Sequence, residues 1–358
     1  MLKKINYSDL NFDLFEETYI NILKNTNEEI LCILEEMQEF EQKNKGKDFE
    51  SLIIKFIYHK NKKIRLFTTK YIKKSTDLEV FRTIKKIISN EEDKEIRSEA
   101  INTLGNWVSD YTFKNKHNEI KKTLDFGLNF ISESSNKEDQ NNMIKSLSFI
   151  DNEKIEKIII NKHNSSNESD KLCSVISMGN NGKAKWIPLI KDLIENDNYE
   201  IRSSSCLSLS LVGDEEHLDT IKELLDDEEL ETQKSAVLAI GNIGGDGAKE
   251  ILEKLKFSTE PEIVDLSEKK ILELKQEDEL DSTSSPKDEF NNISDEDKDI
   301  LKNSDFDKYD AGQIEGWGTL NSDGTSFIAP DAIDTDIDDP IKSLSDYEKP
   351  IEQPDIDD

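Results

Sequence analysis

Cysteine and histidine are scarce in this chain, and their scarcity removes whole classes of chemistry. The three cysteines, Cys32, Cys173 and Cys206, lie far apart with no Cys-x-x-Cys pair, which excludes a disulfide framework and a cysteine-based zinc site. They are expected to be small core residues of a protein from a reducing compartment. The four histidines, His59, His117, His163 and His217, are equally dispersed, and none is followed by Glu. No run of 18 apolar residues occurs, and Met1–Asn6 leads into polar sequence without an apolar signal region, so a soluble, cytosolic protein with no membrane partner is expected. No Ser-His-Asp, Cys-His or paired-carboxylate arrangement stands out among the 78 acidic residues. A binding role without metal or cofactor is therefore expected rather than catalysis.

Positive charge is scarce overall but unevenly so. The formal net charge is −31, of which residues 1–130 contribute +1, residues 131–275 contribute −12 and residues 276–358 contribute −20. A chain this acidic does not coat nucleic acid as a whole, although a local basic patch still could. The last segment is rich in Asp, Ser and Pro, contains no Arg, and has only scattered apolar residues. Such a segment buries too little surface to offset chain entropy and is expected to be a disordered acidic tail.

What the chain has in abundance is a repeated phrase. Ile201-Arg202 precedes Ser205 and Leu209, Thr232-Gln233 precedes Ala236 and Ile240, and Ile263-Val264 precedes Ser267 and Ile271. The small residue and the aliphatic one four places later share a helix face. The same phrase runs back through Asp170-Lys171, Asp139-Gln140, Ile96-Arg97 and Ile64-Arg65. Steps from 139 onward are all 31 residues; the step between 96 and 139 is 43, which implies an insertion around Val108–Asn118. Before each anchor lies a second helical pattern, as at Phe56-Ile57, Ile87-Ile88 and Leu224-Leu225. A unit of ~31 residues fits two helices and two turns. The expected architecture is thus all-α: an α-solenoid of about seven two-helix units over 48–275. Residues 1–47 form a helical cap or degenerate repeat, with Ser8 or Asp9 capping one helix and Asn27 the next. Gly105, Gly179 and Gly241 are expected to turn the chain near the end of the second helix.

These residues resemble the short HEAT-like repeats first associated with phycobilin lyases, in the match Ile96-Arg97, Ala100, Leu104-Gly105-Asn106, with Ser174, Met178-Gly179-Asn180 and Ala236, Ile240-Gly241-Asn242 further on. The resemblance implies fold far more than function, because the repeat serves enzymes, adaptors and chaperone-like proteins. Where Gln140, Gln233 and Val264 replace Arg, an Arg–Asp ladder between units is expected to break. Neither the ankyrin phrase nor the tetratricopeptide pattern occurs. The isolated histidines argue against the di-iron hydroxylases built on this repeat, which need paired His-Glu ligands.

Three local features invite functional readings. Lys55, Lys62, Lys63, Arg65, Lys70, Lys73, Lys74, Arg82, Lys85 and Lys86 form a basic region opposed by only Asp77 and Glu79. It is either a docking patch for an acidic partner, nucleic acid or the protein's own tail, or a solvated lysine-rich surface. Gly241–Gly247 is glycine-rich but lacks the Lys-Ser/Thr ending of a phosphate loop, so a turn is expected. In the tail, Ile314 and Trp317 form an aromatic element with the look of a short docking motif. The leading expectation is a protein-binding scaffold that takes a partner along the second-helix face, with the tail recruiting a second partner or docking on the basic region. The alternatives are a bilin lyase or lyase-subunit chaperone, implied by the repeat resemblance, and nucleic-acid binding through 55–86.

Overall fold

Seven helix pairs follow one another in the register of the repeated phrase. The computed structural model describes residues 7, 10, 14–44, 48–72 and 78–283; Lys73, Lys74, Ser8, Asp9 and the tail from 284, including Ile314 and Trp317, lie outside the described residues. Among those described there are sixteen α-helices and no strand. In each pair the second helix (B) carries the phrase: α4 (Lys62–Tyr71), α6 (Lys94–Phe113), α8 (Lys137–Leu147), α10 (Glu168–Asn181), α12 (Tyr199–Val212), α14 (Leu230–Ile243) and α16 (Pro261–Thr283). The first helices (A) are α3 (Glu50–Ile53), α5 (Leu78–Asn90), α7 (His117–Glu133), α9 (Glu153–His163), α11 (Ile187–Lys191), α13 (Leu218–Lys222) and α15 (Gly245–Leu255), several extended by 3-10 turns.

Most B helices start at the same place for the same reason. Asn61, Asp93, Asn136, Asn167 and Asn198, each four residues before the Arg/Gln/Lys position, accept hydrogen bonds from the first free backbone N–H groups. Such caps are each worth ~1 kcal/mol. The residues at the Arg/Gln position then grip the preceding turn. Arg65, Arg97 and Arg202 donate to the carbonyls of His59, Glu91 and Asn196, and Gln140 and Gln233 donate to those of Ser134 and Asp227. The expected break in the ladder is therefore partial. Glutamine keeps the bond to its own turn and gives up only the ion pair to the next unit, such as Arg202 with Asp227 at 2.7 Å or Arg97 with Asp139 at 2.7 Å.

B helices stack directly on B helices, whereas the A helices mostly touch B helices. The glycines expected to turn the chain prove to serve this stacking instead. Gly105, Gly179 and Gly241 lie inside α6, α10 and α14, and a Cβ on each would approach the next B helix at Ser146 (2.9 Å), Ser208 (2.7 Å) and Lys270 (2.6 Å). Turning is left to Gly182, Gly244 and Gly245, which have positive φ; the turn expected of Gly241–Gly247 is confined to the last two, at the α14–α15 junction, with Gly241 in α14 and Gly247 in α15. Ser146 and Ser208 also donate across the seam to the carbonyls of Ile101 and Val175 at 2.8 and 2.9 Å. Between the layers runs one apolar cluster from Ile57 to Leu274.

The 43-residue step is not a loop. It lengthens α6 to 20 residues and α7 to 17, and the added turn of α6 buries Trp107, Val108 and Tyr111, with Trp107 stacked on Phe81 at 4.8 Å. At the N-terminus, α1 (Phe15–Ile22) and α2 (Asn27–Lys43) stack on α3 and α4 around a second cluster that includes Ile30, Met37 and Phe49. Thr26, not Asn27, caps α2, in a capping box with Glu29, and α1 begins at Phe15 without a side-chain cap.

A contrast between two glycines checks the seam. Gly179→Ala would meet the Cα of Ser208 at 3.0 Å, a backbone atom, whereas Gly241→Ala would meet only the flexible chain of Lys270. Both gain ~1 kcal/mol of helix propensity, but overpacking costs ~1–3 kcal/mol where the neighbour cannot move. Gly179→Ala is expected to melt lower than wild type and Gly241→Ala at the same temperature or higher; equal melting temperatures for the two would refute the close-approach account.

Candidate functional site

Beyond the core, seam and turn positions of a B helix lies a row of side chains that is partly open in most units. It falls five residues after the Arg/Gln/Lys position, at Lys70, Asn102, Lys145, Ile176, Leu207, Leu238 and Lys269. Because the B helices stack in order, these residues form a stripe across the units. Its middle is aliphatic, with Ile176 and Leu238 half-buried and Leu207 at 9% exposure, and lysines stand on both sides. The rows four residues away carry Leu172 on one hand and Asn180, Leu211 and Asn242 on the other. The asparagines do not project as a free ladder. Asn180 donates to the Lys145 carbonyl at 3.2 Å and Asn242 to the Ser210 hydroxyl at 3.4 Å, so each fastens its helix to the previous B helix.

Lys145 is the anomaly of this stripe. Its ammonium group has no ion-pair partner among the described residues, and burial holds its pKa below the ordinary lysine value. Asp170 shows the opposite case. Burial works against its charge, but Lys162 at 2.6 Å, Lys137 at 3.0 Å and the Ser165 hydroxyl outweigh it and bring its pKa to about 2.

The basic region of 55–86 does not converge on one point. Lys55 pairs with Glu16 at 2.6 Å beside Tyr19, and Lys62 pairs with Asp93 and Glu95. Arg65 pairs with Glu91 at 2.9 Å on the wall of an open groove of about 530 Å³ that Tyr58 and Lys86 also line. Lys63 and Lys70 are exposed along α4, and Arg82 and Lys86 along α5. Lys85 lies over the rings of Phe81 (4.4 Å) and Phe126 (5.2 Å) and donates to the backbone carbonyl of Lys122 at 3.5 Å. The fold thereby sets α7, with Lys121 and Lys122, beside α5. No sequence signal links residues 36 positions apart outside the repeat register, and these two lysines were not foreseen.

No metal-holding group of three or more His, Cys, Asp or Glu occurs among the described residues, and no described helix is long and apolar enough to cross a membrane. Cys173 and Cys206 are core residues, and burial pushes the Cys173 thiol up to about 11. Cys32 departs from expectation, for it is exposed on α2.

The Lys145 site makes a signed prediction. A lysine whose folded-state pKa lies below its unfolded value carries a penalty in full force below the folded pKa, and the penalty fades as pH rises towards ~10.4. Lys145→Met is expected to raise the melting temperature near neutral pH and to remove this residue's share of the alkaline gain. Thermal melts from about pH 6 to about pH 10 provide the check, and a lower melting temperature near neutrality would contradict it.

The family model for HEAT repeats matches residues 155–241 and, overlapping, 187–265, the stretch where the period is unbroken. No curated protein matches the chain. Among solved structures, the CpcE–CpcF complex of phycocyanin lyase from Nostoc sp. PCC7120 is similar at 14% identity and TM-score 0.47, covering 72% of this chain and 94% of that one. A designed armadillo repeat protein is similar at 19% identity and TM-score 0.32, covering 53% and 99%. Human deoxyhypusine hydroxylase follows at 10% identity and TM-score 0.34, covering 74% and 96%. With seven helix pairs in one register and the repeat family matched across the C-terminal units, the chain is a HEAT-like repeat protein.

Proposed function

We propose that the protein is a non-catalytic scaffold that binds a protein partner along the B-helix stripe. The observation that carries this reading is the row Ile176, Leu207 and Leu238, three aliphatic side chains in register on successive B helices, the first and last half-buried and Leu207 buried at 9% exposure, with Lys145 before it and Lys269 after it. Ile176 and Leu238 pack against the core with one side and leave the other open, which suits an apolar segment laid across several units. The flanking lysines favour acidic residues at the ends of that segment. A bilin-lyase role rests on the repeat resemblance alone. Nucleic-acid binding through 55–86 is weakened by the ion pairs that hold Lys55, Lys62 and Arg65.

The test compares proteins retained by immobilised wild type with those retained by Ile176→Asp/Leu238→Asp. An Ile160→Asp control changes an exposed residue of α9 instead. The expected outcome is loss of a specific partner by the double variant alone, with its melting transition still cooperative. Retention of the same partner set by all three proteins would sink the reading.

A further inference from the structure

The two lysine-bearing A helices, α5 and α7, form a cationic surface. Lys85, Lys121 and Lys122 have no ion-pair partner among the described residues, and Arg82 and Lys86 are exposed on the same length of α5. The position of Lys85 is the unusual observation. Its ammonium is held over two aromatic rings, where burial removes water from it, and Lys122 adds a like charge; both lower its pKa. Asp125, on the same stretch of α7, forms no ion pair with any of these lysines among the described residues. Cations gathered in this way gain from an anion that supplies several carboxylates at once.

The chain carries such an anion. Asp331-Ala332-Ile333-Asp334-Thr335-Asp336-Ile337-Asp338-Asp339 places five carboxylates in nine residues, within a stretch free of Lys, Arg and His from Tyr309 to Ile341. The segment is within reach. At ~8–10 Å between stacked helices, the four or five units from α16 to α7 and α5 span ~40–50 Å. The 48 residues from Thr283 to Asp331 extend to at most ~160 Å. Covalent attachment makes the encounter intramolecular, so contacts too weak to hold a free peptide can hold a tethered one.

We propose that residues 331–339 dock on the α5–α7 surface, with Lys85, Lys86, Lys121 and Lys122 as the principal contacts. The contact lies on the A-helix side and does not depend on the B-helix stripe. The isoleucines at 333 and 337 are apolar complements to the partly exposed ring of Phe126, which distinguishes this segment from a uniformly polar acidic run.

Energy transfer in the full chain tests the proposal without any partner, so its failure is separable from failure of the scaffold reading. One dye is placed on the exposed Cys32 and the other on Ser343→Cys, while Cys173 and Cys206 are buried. Transfer is expected to fall about twofold between about 0.05 and about 0.5 M salt, as screening shortens the range of the contact. Lys86→Glu/Lys121→Glu/Lys122→Glu is expected to lower it to the same extent at low salt. Lys154→Glu/Lys157→Glu, at exposed lysines of α9, is expected to leave it unchanged. Asp334→Asn/Asp336→Asn/Asp338→Asn is expected to reproduce the loss with the helical residues untouched. Three results would overturn the proposal: transfer indifferent to the α5–α7 reversal, an equal loss on the α9 reversal, or transfer that arises only on mixing singly labelled copies.

Discussion

The close approach of successive B helices is the constraint on which the rest of this structure depends. Gly105, Gly179 and Gly241 admit the next helix to within a distance that a Cβ would forbid, and Ser146 and Ser208, opposite the first two, turn the contact into hydrogen bonds to backbone carbonyls. Larger residues are kept for the space between the layers, where Trp186, Ile190, Leu218 and Ile221 from the A side are buried. A layer joined through glycine and serine occupies a shorter length per unit than a layer separated by leucine and tryptophan. The close approach fixes the distance between successive B helices. It also sets the spacing of the open stripe, so the candidate binding surface is a by-product of the seam.

The turns register the units against one another. Asp227 accepts both N–H groups of Arg202 on its carboxylate and the amide of Gln233 on its own carbonyl, so one residue ties two consecutive B helices. Glu91 does the same for Arg65 and Arg97. Arg202 leads the interactions that hold the Asp227 carboxyl below its usual pKa, and the pair is nearly enclosed at 10% and 7% side-chain exposure. Leaving one such partner without the other would cost more than losing a surface ion pair. Glutamine at positions 140 and 233 avoids that risk by making no inter-unit charge pair at all.

The units were legible because their signal is periodic. Each anchor from Ile64 to Ile263 sits in the first turn of a B helix, since a buried phrase repeated at steps of 31 or 32 residues, and once of 43, has few other ways to satisfy one helix face per unit. The roles of single residues inside the phrase were less legible. A glycine three residues from the end of a helical pattern reads equally as a turn or as a contact, and only the neighbour settles it; here Ser208 does. The asparagines four before the Arg/Gln/Lys position were visible as letters, but a cap is recognisable only once the helix start is fixed. Leu14 and Leu23 look like core residues by spacing and stand 40% and 41% exposed, because α1 is one short helix shifted towards Ile22. The cationic surface needed the fold itself. Its two halves come from A helices, where the repeat is weakest, and from the one step that departs from the period.

The same register shows how the outer face of α16 differs from those of the other B helices. The position four after the Arg/Gln/Lys residue packs into the array as Ile101, Ile144, Val175, Cys206 and Val237, all buried. In α16 it is Glu268, which is exposed. The seam position occupied by Gly105, Ser148, Gly179, Ser210 and Gly241 becomes Leu272, 58% exposed. A further unit of this kind would have to bury the carboxylate of Glu268 without a partner and meet a leucine where its predecessors met hydrogen or hydroxyl. Desolvating an unpaired carboxylate outweighs what one added leucine contact returns. Among the described residues, α16 therefore offers this outer face to solvent.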